Sequence, residues 1–261
     1  MEKSMQLDHV VINVRTDMDA AEIVFNELGF TLTPRGFHTL GSINHLMMFG
    51  TDYLELIGVP EGAETKRADL LSAPLGINGL VFKSKNIDET FKWLGELGMD
   101  GDPPRSFSRP VELNGETVDA KFRTVSVRGD IFPEGRVYFC EHGTPELVWR
   151  EEWQSHQSKI TSVAEMVVVT KSVADTANNY ARLVCGQVKT LSSDLIIVKT
   201  EDILLSIYSP RQYQDRYGDL SSKLGKRSSM FGALVFASKE KNDITYLPAY
   251  DSVLQFTKRE D

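Results

Sequence analysis

The chain has 261 residues, 41% of them hydrophobic and 25% charged, which argues against extensive disorder and leaves room for one large domain or two packed halves. Its formal net charge of −8 disfavours nucleic acid and anionic membranes as partners, so a small molecule is the expected one, with a second copy of the chain as a further candidate. Cys140 and Cys185 fit no disulfide framework or metal-finger spacing, the N-terminus has no apolar signal region, and no run approaches the roughly 18 apolar residues that span a bilayer, so a reducing compartment, the cytoplasm, is the expectation.

The first predicted strand is LDHVVINV. Alternation puts Val10, Ile12 and Val14 on one face and His9, Val11 and Asn13 on the other. A helix follows, capped by Asp17 or Asp19, with Ala20, Ile23, Val24, Phe25 and Leu28 at helical spacing and Gly29 as the stop. Three strand candidates come next: FTLTPRG, INHLMMF and DYLELIGV. In the last, Leu54 and Leu56 oppose Tyr53, Glu55 and Ile57. If the apolar faces pack on the helix, His9 and Glu55 share the side turned away from it. The stretch from Pro60 to Gly76 is a loop that either covers a pocket or merely connects.

A second unit starts at INGLVFKS, with Gly79 placed 70 positions after His9. NIDETFKWLGELGMD is a capped amphipathic helix ending in Leu97-Gly98, as the first ends in Leu28-Gly29. A polar, proline-bearing stretch, DGDPPRSFSRPVELNGE, precedes strands KFRTVSV and RVYFCEH. In RVYFCEH, Tyr138, Cys140 and His142 share a face. TPELVWREEWQSHQS reads as a crossover, dividing the chain into residues 1–150 and 151–261. In the second half SVAEMVVVTKSVADTANNYARLVCG repeats the first strand and helix, with Glu165 at the place of His9. DILLSIYSP repeats DYLELIGVP, with Leu205 at the place of Glu55. GALVFAS restarts the pattern, and too little chain follows for a complete fourth unit. Such self-similarity is the firmest fold signal in the sequence.

A repeated β-α-β-β-β unit with a histidine in its first strand and a glutamate in its last resembles the vicinal oxygen chelate superfamily, which includes glyoxalase I and the extradiol dioxygenases. More narrowly, LDHVVINV, HTLGSINHLMMFGTDYLELI, SFSRPVELNG and YFCEHGTPELVW resemble its bacterial glyoxalase-like domain proteins, well from Leu7 to about Trp149 and weakly beyond. The resemblance implies an α+β fold of paired modules whose sheets curve into an open half-barrel; the short stretch after GALVFAS makes the second pair an incomplete one. It also implies one divalent metal ion (iron, zinc, nickel or manganese) held by His9, Glu55 and His142 in the N-terminal half. Gly79 departs from the pattern, because glycine offers no ligand. Iron would favour oxygen chemistry; the other metals would favour isomerase, lyase or thiol-addition chemistry.

Each candidate has a structural alternative. His9 could be a hydrogen-bonded strand residue, Glu55 the partner of an arginine, and His142 a turn anchor. His45, with Met47 and Phe49 on its face, is either a general acid/base in the cavity or a core histidine. Arg109 could take a substrate carboxylate through its guanidinium fork or solvate a loop. Met47, Phe49, Tyr53, Phe107 and Tyr138 would line a pocket, and they would dominate if the protein were a metal-free small-molecule binder. His38, in a loop-like segment beside Arg35 and Gly36, is either a substrate contact or a surface histidine and reads as the latter, and His156 amid polar neighbours reads as exposed. No glycine spacing supports a nucleotide cofactor.

Overall fold

The computed structural model describes residues 5–62, 67–113 and 115–259. β1 (Leu7–Arg15) leads through α1 (Met18–Glu27) to β2 (Gly36–Phe37), β3 (Ile43–Met48) and β4 (Tyr53–Gly58). A loop carrying α2 (Ala68–Ser72) precedes β5 (Gly76–Lys83), α3 (Ile87–Leu97), β6 (Arg105–Leu113), β7 (Glu116–Ser126) and β8 (Arg136–His142). The second half holds β9 (Ile160–Thr170), α4 (Val173–Val184), β10 (Gln187–Ser192), β11 (Leu195–Lys199) and β12 (Leu204–Tyr208). It ends with α5 (Pro210–Tyr217), β13 (Ser229–Ser238), β14 (Asp243–Leu247) and β15 (Ser252–Lys258). The fold is the expected α+β arrangement of paired modules. Its last module is truncated, because β13 runs to β14 without a helix or a further strand.

The first half forms a sheet in the order β2-β3-β4-β1-β5-β8-β7-β6, and the second half repeats it as β10-β11-β12-β9-β13-β15-β14. β1 is parallel to β4 and antiparallel to β5, and β5 is parallel to β8. A local two-fold therefore relates the two modules: His9 pairs Val81 while Gly79 pairs Val11. The far edges of the first sheet curve round to meet. Thr39 N donates to Ser108 O at 3.0 Å, and Ser108 N donates to Thr39 Oγ1 at 3.1 Å. The sheet becomes a nearly closed cup.

Alternation sorts the strand residues as expected. Val10, Ile12, Val14, Leu54 and Leu56 join the core that includes Phe25 of α1, Leu94 of α3 and Tyr180 of α4. The same core takes in Phe236 and Phe256 of the second sheet, so burial of apolar area unites the halves. Asn86 caps α3 by accepting from Asp88 N and Glu89 N at 3.1 and 3.2 Å, and Gly98 ends it at φ 69°. Among the described residues no helix is long and apolar enough to cross a membrane.

Four expectations need correction. FTLTPRG gives no full strand: only Gly36–Phe37 pairs with β3, because Pro34 has no N–H for the ladder. SFSRPVEL, read only as part of a polar, proline-bearing stretch and not as a strand, is β6, the edge strand that hydrogen-bonds β7; Pro110 is tolerated there because an edge strand need not donate on its outer side. His156 is 3% exposed. Its Nδ1 accepts from Thr31 N at 3.0 Å, and Nε2 donates to Met48 O at 2.7 Å, so it bridges loop backbone at the seam. Leu205 does not stand at the place of Glu55. Glu165 pairs Leu204 as His9 pairs Tyr53, which makes Ser206 the counterpart, and Leu205 turns to the core. A slip of one residue exchanges the faces of a strand.

Candidate functional site

The cup encloses a cavity of about 290 Å³ lined by residues of both modules, His9, Glu55, Arg109 and Tyr138 among them. His9 Nε2 lies 3.6 Å from Glu55 Oε2 and 3.2 Å from the Tyr138 hydroxyl. His9 and Glu55 are nearly buried, at 4% and 6% exposure. Each is also held from behind. His9 Nδ1 is 2.6 Å from Asp8 Oδ1, and since a carboxylate only accepts, Nδ1 carries the proton and Nε2 turns its lone pair to the cavity. Asn44 Nδ2 donates to Glu55 Oε1 at 2.6 Å, which leaves Oε2 facing His9.

Asp8 reaches this side because β1 is bulged. Leu7 pairs Phe82 and His9 pairs Val81, so Asp8 is an extra residue against β5, and a bulge re-aims the side chain it carries. Asp8 also accepts from His142 Nε2, at 3.1 Å to both oxygens. Burial works to raise its pKa, but His142, through charge and its hydrogen bond, and then the hydrogen bond from His9 outweigh it and hold the carboxyl well below the usual range. His142 itself sits among Trp149, Phe122 and Tyr53, with ring centroids 4.7, 5.2 and 6.4 Å away. Its Nδ1 is buried without a partner.

The structure thus brings His9 and Glu55 together, and it ties His142 to Asp8. Among the described residues, the side chains whose donor atoms all approach within 4.8 Å are Asp8, Cys140 and His142; His9, Glu55 and His142 form no such set. The register explains why. With His9 opposite Tyr53 and Gly79 opposite Arg136, the second-module counterpart of Glu55 is Tyr138, not His142. Burial pushes the Cys140 thiol well up, so it stays neutral, as a small apolar group would.

The remaining candidates divide by face. Tyr53, Phe107, Tyr138 and Arg109 line the cavity. Tyr53 stacks on His9, with centroids 4.4 Å apart and planes at 14°. His45, Met47 and Phe49 lie on the other face of β3 and its extension: Met47 and Phe49 belong to the helix-side core. His45 donates from Nδ1 to Thr33 O at 2.8 Å, accepts from Arg35 Nε at 3.3 Å, and lies 3.4 Å from Glu22 of α1. Of its two sequence-stated roles, the core one describes its place, and Asn44 is the β3 residue beside Glu55. His38 is a cavity residue, not a surface one. Its Nδ1 lies 2.8 Å from Ser42 Oγ and its Nε2 3.2 Å from Asn44 Nδ2, and burial pushes its pKa down to about 4.

In the second half the equivalent sheet face is covered by α5. Tyr213 and Tyr217 pack there with Val167 and Ala233, and Tyr213 donates to Gly232 O at 2.8 Å. Glu165, at the place of His9, is held by Arg216 at 2.7 and 3.0 Å. It is part of an ion pair, and Arg216 lies over the Tyr217 ring at 4.9 Å.

A glyoxalase-like domain model matches residues 7–184. The chain belongs to the glyoxalase-like domain family. No curated protein matches it in sequence. In structure it is similar to a hypothetical protein from Staphylococcus aureus, at TM-score 0.73 and 13% identity over 98% of this chain and 100% of that one. It is also similar to a mutant 4-hydroxymandelate synthase from Streptomyces coelicolor, at TM-score 0.58 and 13% identity over 91% and 72% of the two chains. A fusion of a xylose isomerase-like TIM barrel with 4-hydroxyphenylpyruvate dioxygenase gives 0.55 and 14% over 91% and 38%. At such identities the likeness is one of fold, and the fold is that of the vicinal oxygen chelate proteins.

Asp8 and Asn44 escaped the sequence reading, which also placed His38 at the surface. Strict alternation sends Asp8 away from His9, and only the bulge reverses it. Asn44 was legible: it shares a face with Leu46 and Met48, opposite the His45 set, and that face continues the one carrying Glu55.

Proposed function

We propose that this glyoxalase-like protein is an enzyme of the vicinal oxygen chelate type, in which His9 Nε2 and Glu55 Oε2 hold one divalent metal ion and the substrate is a small molecule with two adjacent oxygens. The carrying observation is that both donors are fixed from behind, His9 by Asp8 and Glu55 by Asn44, as metal ligands characteristically are. Their 3.6 Å separation suits two ligands of one ion. When bound, such an ion would supply Lewis-acid polarisation of the substrate oxygens. Asp8 keeps the His9 lone pair on the cavity side; the Tyr138 hydroxyl, whose pKa burial pushes far up, stays protonated and donates to that lone pair at 3.2 Å in the metal-free protein, a bond that an ion on Nε2 would replace. His142 supports the arrangement by anchoring Asp8.

The test is metal titration of the stripped protein with zinc, nickel, manganese and ferrous iron, followed by calorimetry. Glu55→Gln keeps the shape and removes the charge, so it is expected to weaken binding at least about 10-fold with an unchanged circular dichroism spectrum. Failure of the unaltered protein to bind any of the four ions, or equal binding by Glu55→Gln, would sink the metal reading. A second reading has an observation of its own: Gly79 and Tyr138 stand where the second module would supply ligands. Without a metal, the cavity would serve to bind an organic molecule, and binding would survive chelation.

A further inference from the structure

The cavity carries more positive charge than it neutralises. Arg67 donates to Asp69 at 2.9 and 2.8 Å, and Arg105 at the rim lies 3.8 Å from Asp102. Two other guanidinium groups lining the cavity are less well matched. Arg109, on β6, is only 5% exposed, and its Nε is buried without a partner. Arg136, at the start of β8, has Nε and Nη2 buried without partners, and its Nη1 is 3.9 Å from Asp69. Among the described residues, the one other carboxylate of the lining is Glu55, whose Oε1 is already taken by Asn44.

Room is made for Arg109. A Cβ on Gly36 would come within 2.4 Å of Arg109 Cδ and 2.9 Å of its Nη1, so the glycine of β2 lets the side chain lie down inside the cup. Burying an unpaired guanidinium costs several kcal/mol in general terms, and a fold that keeps one against a cavity gains most when an anion enters. Arginine presents a planar fork that matches a carboxylate on two parallel hydrogen bonds. Beside it, Phe107 and Phe122 stack with centroids 5.2 Å apart and planes at 18°, which favours a flat apolar body.

We infer that the molecule taken by this cavity is a small organic carboxylate on a flat apolar body, with the carboxylate held by Arg109 and its charge balanced by Arg136. The inference rests on reading the cup as the substrate site, but not on the metal. It explains how a chain of net charge −8 admits an anion: the local field of the cavity is opposite in sign to that of the whole molecule.

The experiment is calorimetric titration of the full chain, stripped of metal with a chelator, using benzoate and its neutral isostere benzamide. Stripping removes any metal that could itself anchor a carboxylate, and a failure of the metal reading shows separately in the metal titration. Benzoate is expected to bind at least 10-fold more tightly than benzamide. Arg109→Gln should bring benzoate down to the benzamide level, and Arg109→Lys, which keeps the charge and loses the fork, should fall between. Arg128→Ala, at an exposed pair with Asp130, should change nothing. Equal affinity for acid and amide, binding of neither, or undiminished benzoate binding by a folded Arg109→Gln overturns the inference. If Arg109→Gln does not fold, the acid and amide comparison on the unaltered protein decides.

Discussion

Asp8 is the residue on which the site turns, since one buried carboxylate accepts from two imidazoles. Asparagine at this position would keep the shape but replace one acceptor oxygen with a donor nitrogen, so His9 and His142 could not both donate to it without setting the Nε2–H of His142, 3.1 Å from both carboxylate oxygens, against an amide N–H. One of them must switch tautomer or lose its bond. Asp8→Asn is therefore expected to lower the affinity of the His9–Glu55 pair for a divalent ion by about 10- to 100-fold, and to shift the His9 ring nitrogen resonances in an NMR spectrum of the metal-free protein. If affinity and resonances both stay as they are, Asp8 does not position His9. The same comparison separates positioning from simple destabilisation, because a loosened fold would not single out one ring.

At the scale of the strands, register governs which residues meet. The two-fold between β1 and β5 puts Gly79 opposite Val11, and a Cβ on Gly79 would lie 2.8 Å from Val11 Cβ and 2.9 Å from Cγ2. Val11 is fully buried on a central strand and cannot give way. The glycine that leaves the second module without a ligand in its first strand is thus also what lets the strands approach. Gly79→Ala is expected to destabilise the protein by about 1 to 3 kcal/mol, the usual cost of overpacking a core, seen as a lower urea midpoint at unchanged slope. A midpoint equal to or above that of the unaltered protein would show that the contact is not tight. The α2 loop is tied to the same strand: Asn13 Nδ2 donates to Leu70 O at 2.8 Å and to Pro74 O at 3.1 Å. That anchorage sets Arg67 and Asp69 at the cavity wall.

The two halves of the molecule are joined by reciprocal bonds. Asp52 accepts from Val163 N of β9 at 2.9 Å, and Asp202 accepts from Leu7 N of β1 at 3.1 Å. Glu134 adds a third link, accepting from Ser229 Oγ at 3.0 Å and from the Tyr180 hydroxyl. Burial, helped by the charge of Asp202 and opposed by the bond from Val163, raises the pKa of Asp52 from 3.8 to about 7. Between those values the native state binds a proton that the unfolded chain has released. The resulting stabilisation is complete below pH 3.8, is lost as pH rises, and is gone above about 7. His38 acts in the opposite sense, since its lowered pKa removes stability as pH falls from 6.5 towards 4. Comparison with Asp52→Asn isolates the first effect. From pH 5 to 8 the unaltered protein should lose stability relative to the variant, at up to about 1.4 kcal/mol per pH unit in the titrating range, measured as the difference in urea midpoints. A difference that does not vary with pH would mean that Asp52 titrates normally.

The sequence by itself determined the repeated modules, their order and the facing of most strands, because alternation and helical spacing are local properties that core burial then enforces. It placed His9 and Glu55 on one side for the same reason: each has apolar neighbours in sequence that must turn the other way. Three things lay beyond it, and each depends on pairing between distant segments. The bulge that brings Asp8 beside His9 exists only against β5. The register that makes Tyr138 the counterpart of Glu55, and Ser206 rather than Leu205 its counterpart in the second half, is set by how β8 and β12 dock on their parallel neighbours. The burial of His156 and the unpaired state of Arg109 depend on which backbone and side chains close over them. Local sequence fixes the direction of a side chain along its strand, whereas its partners are chosen by tertiary packing, so the chemistry of the site was decided by the structure.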